Sequence, residues 1–247
     1  EKPLAASTEE ARRLLETADA NQRRIGSAPD TFLGRGLQTA RQAIDEGLIG
    51  EPFSATAFWI SGGHESWHPN PDIFYQPGGG PLFDMGPYYV TALTHLLGPI
   101  DRIAGGTQRP REERTITSEP RAGESMDVSV PTTEAGVVDF ESGATAPLLF
   151  SFDIPDSDIA PQNGFEIHGT DGTLRCPDPN HFDGPVEVKT ADSDAWETVP
   201  APEPTVPQQR GLGLLDLVRA IDGEWIHRSS GQLAYHVLEA LEGVRTA

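Results

Sequence analysis

Between positions 100 and 190 the sequence breaks into strand-length runs, and no other feature restricts the fold as much. Residues 100–107, 132–140, 144–152, 164–168, 173–176 and 185–190 each read as a strand, with Ser142-Gly143 and Asp171-Gly172 separating neighbours at hairpin spacing. Strands joined by such tight turns pair antiparallel, so these runs predict a largely antiparallel sheet, and residues 52–60 add a strand ahead of them. Helical patterns lie around this strand-rich block. Ser7-Thr8-Glu9-Glu10 reads as a helix start, with Ser7 as N-cap and acids in the first turn, and Leu14, Leu15 and Ala18 supply an apolar stripe. The first thirty residues thus read as a strand end, this helix and a short strand near 24–28. Further helices are predicted over 37–46 (ended by Gly47), 82–97 (ended by Gly98-Pro99), 212–221 and 231–244. The expected class is α/β (α+β), with an open, mainly antiparallel sheet and helices packed on one face.

Pro200 to Pro207 form a proline-rich connector that suits neither a helix interior nor a central strand. The polar stretch 109–127 reads as a mobile loop, and the acidic runs 153–158 and 192–194 read as solvated loop surface, since neither shows calcium-ligand spacing.

Charge narrows the set of partners. Thirty-eight acidic against eighteen basic residues give a formal net charge of −20, so nucleic acid and anionic membranes are excluded as partners. Lys2 and Lys189 are the two lysines and every other basic residue is arginine. This acidic, lysine-poor composition resembles that of proteins from salt-loving organisms. One cysteine, Cys176, allows no internal disulfide, fits a reducing, cytoplasmic setting, and reads as a buried small hydrophobe. No apolar run reaches the length of a membrane span, and the start Glu1-Lys2-Pro3 has neither signal-peptide character nor an initiator Met, as in a fragment or trimmed form.

Three short motifs occur in a telling order: Glu1-Lys2-Pro3-Leu4-Ala5 before a helix; Ile44-Asp45-Glu46-Gly47-Leu48-Ile49-Gly50-Glu51-Pro52 between a helix and a strand; and Gly78-Gly79-Gly80-Pro81-Leu82-Phe83-Asp84-Met85-Gly86-Pro87-Tyr88 opening a helix. Together with a closing stretch from His227 to Leu238, they resemble the glucose–fructose oxidoreductase / inositol dehydrogenase / MocA (Gfo/Idh/MocA) family. That resemblance implies an NAD(P)-dependent oxidoreductase, using NAD or NADP, that moves a hydride to or from a sugar, polyol or similar small hydroxylated substrate. It also implies a homo-oligomer formed through the open sheet. The dinucleotide fingerprint Gly-x-Gly-x-x-Gly does not occur; Gly34-Arg35-Gly36 and Gly211-Leu212-Gly213 each lack the third glycine. The family places its glutamate-lysine-proline motif late in the nucleotide domain, so 1–30 reads as a remnant of that Rossmann domain. Residues 31–207 read as the substrate domain and 208–247 as C-terminal helices packing back on it.

The resemblance makes Lys2 the catalytic lysine, with Glu1, Lys2 and Pro3 at the cofactor and a cis bond before Pro3. Elementary chemistry agrees, because a lysine can take or return the hydroxyl proton of an alcohol. Asp84 and Tyr88, four apart on a helix, share one face. The family carries a substrate-contacting aspartate at the first of these positions and often a histidine at the second. Tyr88 departs from that pattern and reads as a proton donor or relay. His64-Glu65-Ser66-Trp67-His68 matches the H-E-x-x-H zinc-peptidase pattern, but Gly62-Gly63 precede it and Pro69 follows at once, so a helix with both histidines on one face is not expected. As loop residues His64, Trp67, His68 and Tyr75 instead line a substrate pocket, Trp67 foremost as a substrate contact. His227 and His236 read as helix-packing or surface groups. The alternative from another class is a non-catalytic, dehydrogenase-like protein that binds a ligand or partner.

Overall fold

The computed structural model describes residues 1–157, 164–223 and 225–247. In chain order it contains α1 (Thr8–Ala20), α2 (Arg35–Asp45), β1 (Pro52–Ile60), α3 (Pro81–Leu97), β2 (Ile100–Gln108), β3 (Glu113–Thr115), β4 (Ser125–Asp127), β5 (Thr133–Phe140), β6 (Thr145–Ser151), β7 (Phe165–Gly169), β8 (Gly172–Cys176), β9 (Glu187–Thr190), β10 (Glu197–Thr198), α4 (Leu212–Gly223) and α5 (Gly231–Thr246). Eight strands form one sheet in the order β10-β9-β8-β7-β1-β6-β5-β2, and β3 pairs with β4 in a separate hairpin. Every neighbouring pair in the large sheet is antiparallel except β1 with β6, which run parallel with Ala57 opposite Leu148. The architecture is therefore a mixed α/β fold built on an open, mainly antiparallel sheet.

One face of this sheet is covered. Along β1 and β6 the buried positions alternate (Ala55, Ala57, Trp59; Ala146, Leu148, Phe150), as the two-residue period of a strand requires. The helix α3 packs against this face and α5 lies against β2, β5 and α3. Thirteen residues of α3 are buried, including Leu82, Tyr89, Leu93 and Leu96, which explains why its sequence is apolar around most of its circumference rather than striped. Each fully buried leucine contributes roughly 1.5–3 kcal/mol of transfer free energy. The opposite sheet face leaves Phe58, Ile60 and Leu149 half-buried and Val137 exposed.

Several features position the head of α3. Gly80, at φ +96°, turns the chain into the helix, and a Cβ there would crowd the Arg245 guanidinium and the Pro131 carbonyl. Pro81 occupies the first turn, where its missing N–H is harmless. The Leu82 amide donates to Glu134 Oε2 at 3.0 Å, so a fully buried glutamate from β5 caps the helix from outside its own sequence. Arg245 of α5 donates to the other oxygen at 2.7 Å.

The structure departs from the sequence-based expectations at four places. Residues 1–2 carry no regular structure and 3–7 run as bends, and the strand expected near 24–28 reduces to one bridge between Gly26 and Ser230, because no described strand lies beside either segment. Residues 109–127, expected as a mobile loop, contain the β3–β4 hairpin with Arg114, Ile116 and Met126 buried beneath it. Of the acidic run 153–158, Asp153 is largely buried and bonded rather than solvated, and Asp158 lies outside the described residues. His227 donates from Nε2 to the Ile25 carbonyl and His236 accepts the Ile100 amide, the structural roles expected for them. Cys176 is buried as expected. No described helix is long and apolar enough to cross a membrane.

Candidate active site

The charged groups of the site gather at the head of α3. Asp84 lies in its first turn, where the helix N-terminus favours an anion. Lys2 Nζ donates to Asp84 Oδ1 at 2.6 Å and also to the Asp84 carbonyl. His64 Nε2 meets the other carboxylate oxygen, Oδ2, at 2.9 Å. An ionised carboxylate only accepts, so Nε2 is the protonated nitrogen in this bond. Asp84 therefore stands between a lysine and a histidine contributed by separate segments, and both partners are largely buried.

Burial alone would raise the Asp84 pKa, but the His64 hydrogen bond and the Lys2 charge outweigh it and hold the carboxyl below its ordinary value. Asp84 is the fixed negative charge of the site. Tyr88 lies one turn further along α3, with Lys2 Nζ 5.2 Å from its ring centre. Burial first, and the Asp84 charge second, push its phenol above the usual value. Tyr88 thus stays protonated at neutral pH and can act as a hydrogen-bond donor. The structure brings together all three residues expected to carry the chemistry.

A cavity of about 500 Å³ opens beside them, lined by Glu1, Lys2, the 26–31 segment, Tyr88, Asn180, Phe182, Arg210 and the start of α4. That volume is typical of small-molecule sites. Pro3 follows a cis peptide bond, as the family resemblance implies, and lines a smaller neighbouring recess. Trp67 is not among the lining residues. It is 62% exposed and packs its ring edge against His64, with centroids 5.1 Å apart.

His64 belongs to the site through a bond that sequence reasoning missed. Its ring sits among Trp59, Trp67, Phe74 and Phe152, with centroids 4.3 to 6.0 Å away, and its Nδ1 is buried with no partner among the described residues. The H-E-x-x-H pattern does not form a metal site here. His64–Ser66 is a single 3-10 turn, His64 faces Asp84, and Glu65 is paired with Arg114. The signal that could have found His64 is the one that prompted the zinc comparison, a histidine directly after two glycines in a loop rich in aromatics.

The open, largely antiparallel sheet and the Lys2–Asp84 ion pair at the head of α3 are the features to set beside known proteins. The profile of the GFO/IDH/MocA C-terminal domain matches residues 37–175, more than half of the chain, and the protein belongs to that family. Among curated proteins it is 28% identical over 178 residues to D-xylose 1-dehydrogenase (NADP(+)) 2 of Haloferax volcanii, covering 71% of this chain and 47% of that protein. It is 27% identical over 177 residues to 1,5-anhydro-D-fructose reductase of Ensifer adhaerens, covering 70% of this chain and 47% of that one. The matched stretch thus spans about half the length of these relatives. Solved structures share the fold over 98% of the chain: an NAD binding oxidoreductase from Klebsiella pneumoniae (TM-score 0.79, 21% identity, 69% of that chain) and an aldose-aldose oxidoreductase from Caulobacter crescentus complexed with glycerol (TM-score 0.75, 17% identity, 67% of that chain).

Proposed function

We propose that the protein is an NAD(P)-dependent oxidoreductase acting on a sugar, polyol or similar hydroxylated compound. The observation that carries this reading is the Lys2–Asp84–His64 chain of hydrogen bonds beside a cavity that also receives Tyr88. Oxidising an alcohol carbon requires removal of a hydride from carbon and of a proton from its hydroxyl. A bound nicotinamide supplies the hydride acceptor, or the donor in the reverse direction. As an ammonium, Lys2 Nζ returns a proton to the forming hydroxyl in the reducing direction; in the oxidising direction it first releases a proton to solvent and then takes the hydroxyl proton, and Asp84 fixes the position of that nitrogen. Tyr88, held protonated, donates to a substrate oxygen and orients it. The family relatives named above are a sugar dehydrogenase and a sugar-derivative reductase, which supports this substrate class.

The chain's own residues fit one end of the cofactor. The cavity wall made by Glu1, Lys2 and the 26–31 segment would hold the nicotinamide end, with Pro3 setting the direction of the backbone behind Lys2. The sequence contains no Gly-x-Gly-x-x-Gly turn for the pyrophosphate, consistent with residues 1–30 being the end of a nucleotide-binding domain and 31–207 a substrate domain closed by the helices of 208–247. The partly exposed apolar face formed by Phe58, Ile60, Val137 and Leu149 suits self-association through the sheet, and the acidic surface suits a cytoplasm rich in salt.

The test is reduction of NAD+ or NADP+ by the complete gene product against a panel of aldoses and polyols in high salt. Turnover of at least one of these supports the reading. Absence of both turnover and cofactor binding would leave a ligand-binding protein on a dehydrogenase-like fold.

A further inference from the structure

Next to His64 in the chain, Glu65 belongs to a second charged cluster. Arg114, from β3, is 5% exposed and donates to Glu65 Oε1 and to Asp153 Oδ1, whose side chains are 12% and 9% exposed. It also reaches the Gly62 carbonyl at 3.1 Å and the Phe152 carbonyl at 2.8 Å. Asp153 is held in turn by Thr132 at 2.6 Å and Thr133 at 3.0 Å. Glu65 accepts the hydroxyl of Tyr75, and that same hydroxyl oxygen accepts the His64 amide at 3.1 Å. The Glu65 carbonyl is fixed by the amides of Thr117 and Ser118, at 2.9 and 3.0 Å. The loop carrying His64 is thus tied at its backbone and at the next side chain to the β3–β4 hairpin.

Two further observations show that the arrangement serves position rather than stability alone. A buried cation between carboxylates is seldom more stabilising than apolar packing of the same volume, because desolvation offsets the attraction. In addition, Gly63 adopts φ +108°, and a Cβ there would collide with the Glu65 carboxylate and the Arg114 guanidinium, so the backbone beside His64 is shaped around this ion pair. We infer that Arg114 is a positioning residue for the active site: through Glu65 and Tyr75 it holds the His64 loop so that Nε2 meets Asp84. The inference rests on the proposed function for its catalytic consequence but not for its structural one.

The experiment reads the His64–Asp84 bond directly. An imidazole N–H held by a buried carboxylate and shielded from water gives a proton NMR signal downfield of the amides, assigned here by its loss in His64→Gln. The comparison is between the wild-type complete protein, Arg114→Met, and Tyr75→Phe, which deletes one hydroxyl and keeps the ring should Arg114→Met fail to fold. The expected result is a sharp signal in the wild type that exchanges away in Arg114→Met and broadens in Tyr75→Phe. Where sugar oxidation is measurable, kcat should fall roughly 10–100-fold in Arg114→Met with substrate KM changed far less. A folded Tyr75→Phe or Arg114→Met protein that is less stable yet keeps the wild-type His64 signal would overturn the inference. Loss of the signal in a protein with no dehydrogenase activity would sustain the positioning role and sink the proposed function instead.

Discussion

Arg114 and Arg121 belong to the same hairpin segment, and each grips two carboxylates: Glu65 and Asp153 for the first, Asp72 and Glu124 for the second. The sequence offers no reason to rank them. The structure ranks them by burial, since the Arg114 side chain is 5% exposed and that of Arg121 28%, with Glu124 at 56%. In the first cluster the charges have largely exchanged water for one another and for backbone carbonyls, so removing Arg114 leaves Glu65 without a cation and Asp153 with only the exposed Arg111. In the second, water can replace any partner that leaves. The same pairing of residue types therefore fixes a loop in one place and decorates a turn in the other.

The largest effect expected from this contrast is in stability. Arg114→Met should lower the unfolding free energy by up to about 3–5 kcal/mol, because Glu65 then loses its cation and Asp153 keeps only the exposed Arg111; urea titration measures it. Converting Glu65 and Asp153 to glutamine and asparagine in the same protein should recover part of the loss, and failure to recover any would break the comparison.

The next effect is on pH. His95 is partly buried in α3 beside Gln38, and burial, aided by the Arg41 and Arg228 charges, lowers its pKa to about 4. The folded state then excludes a proton that the unfolded chain, with an ordinary pKa near 6.5, accepts. Its contribution is complete above pH ~6.5 and is lost as pH falls toward 4, amounting to about 3 kcal/mol. Asp84, with its lowered pKa, pulls in the same direction at still lower pH. Thermal melts across this range should show the decline, and His95→Gln should flatten its upper part.

Arg121→Met should cost less than about 1 kcal/mol. Salt sharpens the comparison further: the Arg121 effect should fade in molar KCl, while the Arg114 effect persists because buried pairs are poorly screened. Equal salt sensitivity of the two variants would contradict the burial argument.

Much of this molecule was legible in its sequence where short-range pattern decides the outcome. The strand 52–60 forms over those residues, Ser7 accepts from the Glu10 amide as a capping residue should, and the helix opened by Pro81 runs to Leu97. The place of Asp84 in the first turn of α3 was legible for the same reason, since a glycine-led helix start is a local property. The bonds that complete the site are not local. His64 joins Asp84 across twenty positions, Arg114 joins Glu65 across forty-nine, and Glu134 caps α3 across fifty-two. No periodicity records such contacts. The hairpin that carries Arg114 has strands of three residues with polar faces, too short to rise above loop composition. The H-E-x-x-H match shows the converse: a pattern present in sequence whose geometry the backbone does not supply.

Lys2, held by Asp84, is proposed to carry the proton of a sugar hydroxyl. This role is tested most directly by single-turnover hydride transfer in the complete protein, comparing wild type with Lys2→Ala at saturating cofactor and substrate. The account predicts that the transfer rate falls by roughly 10²–10⁴-fold, the range for loss of a general acid–base group, while cofactor affinity changes little. A Lys2→Ala protein that transfers hydride at the wild-type rate would contradict it.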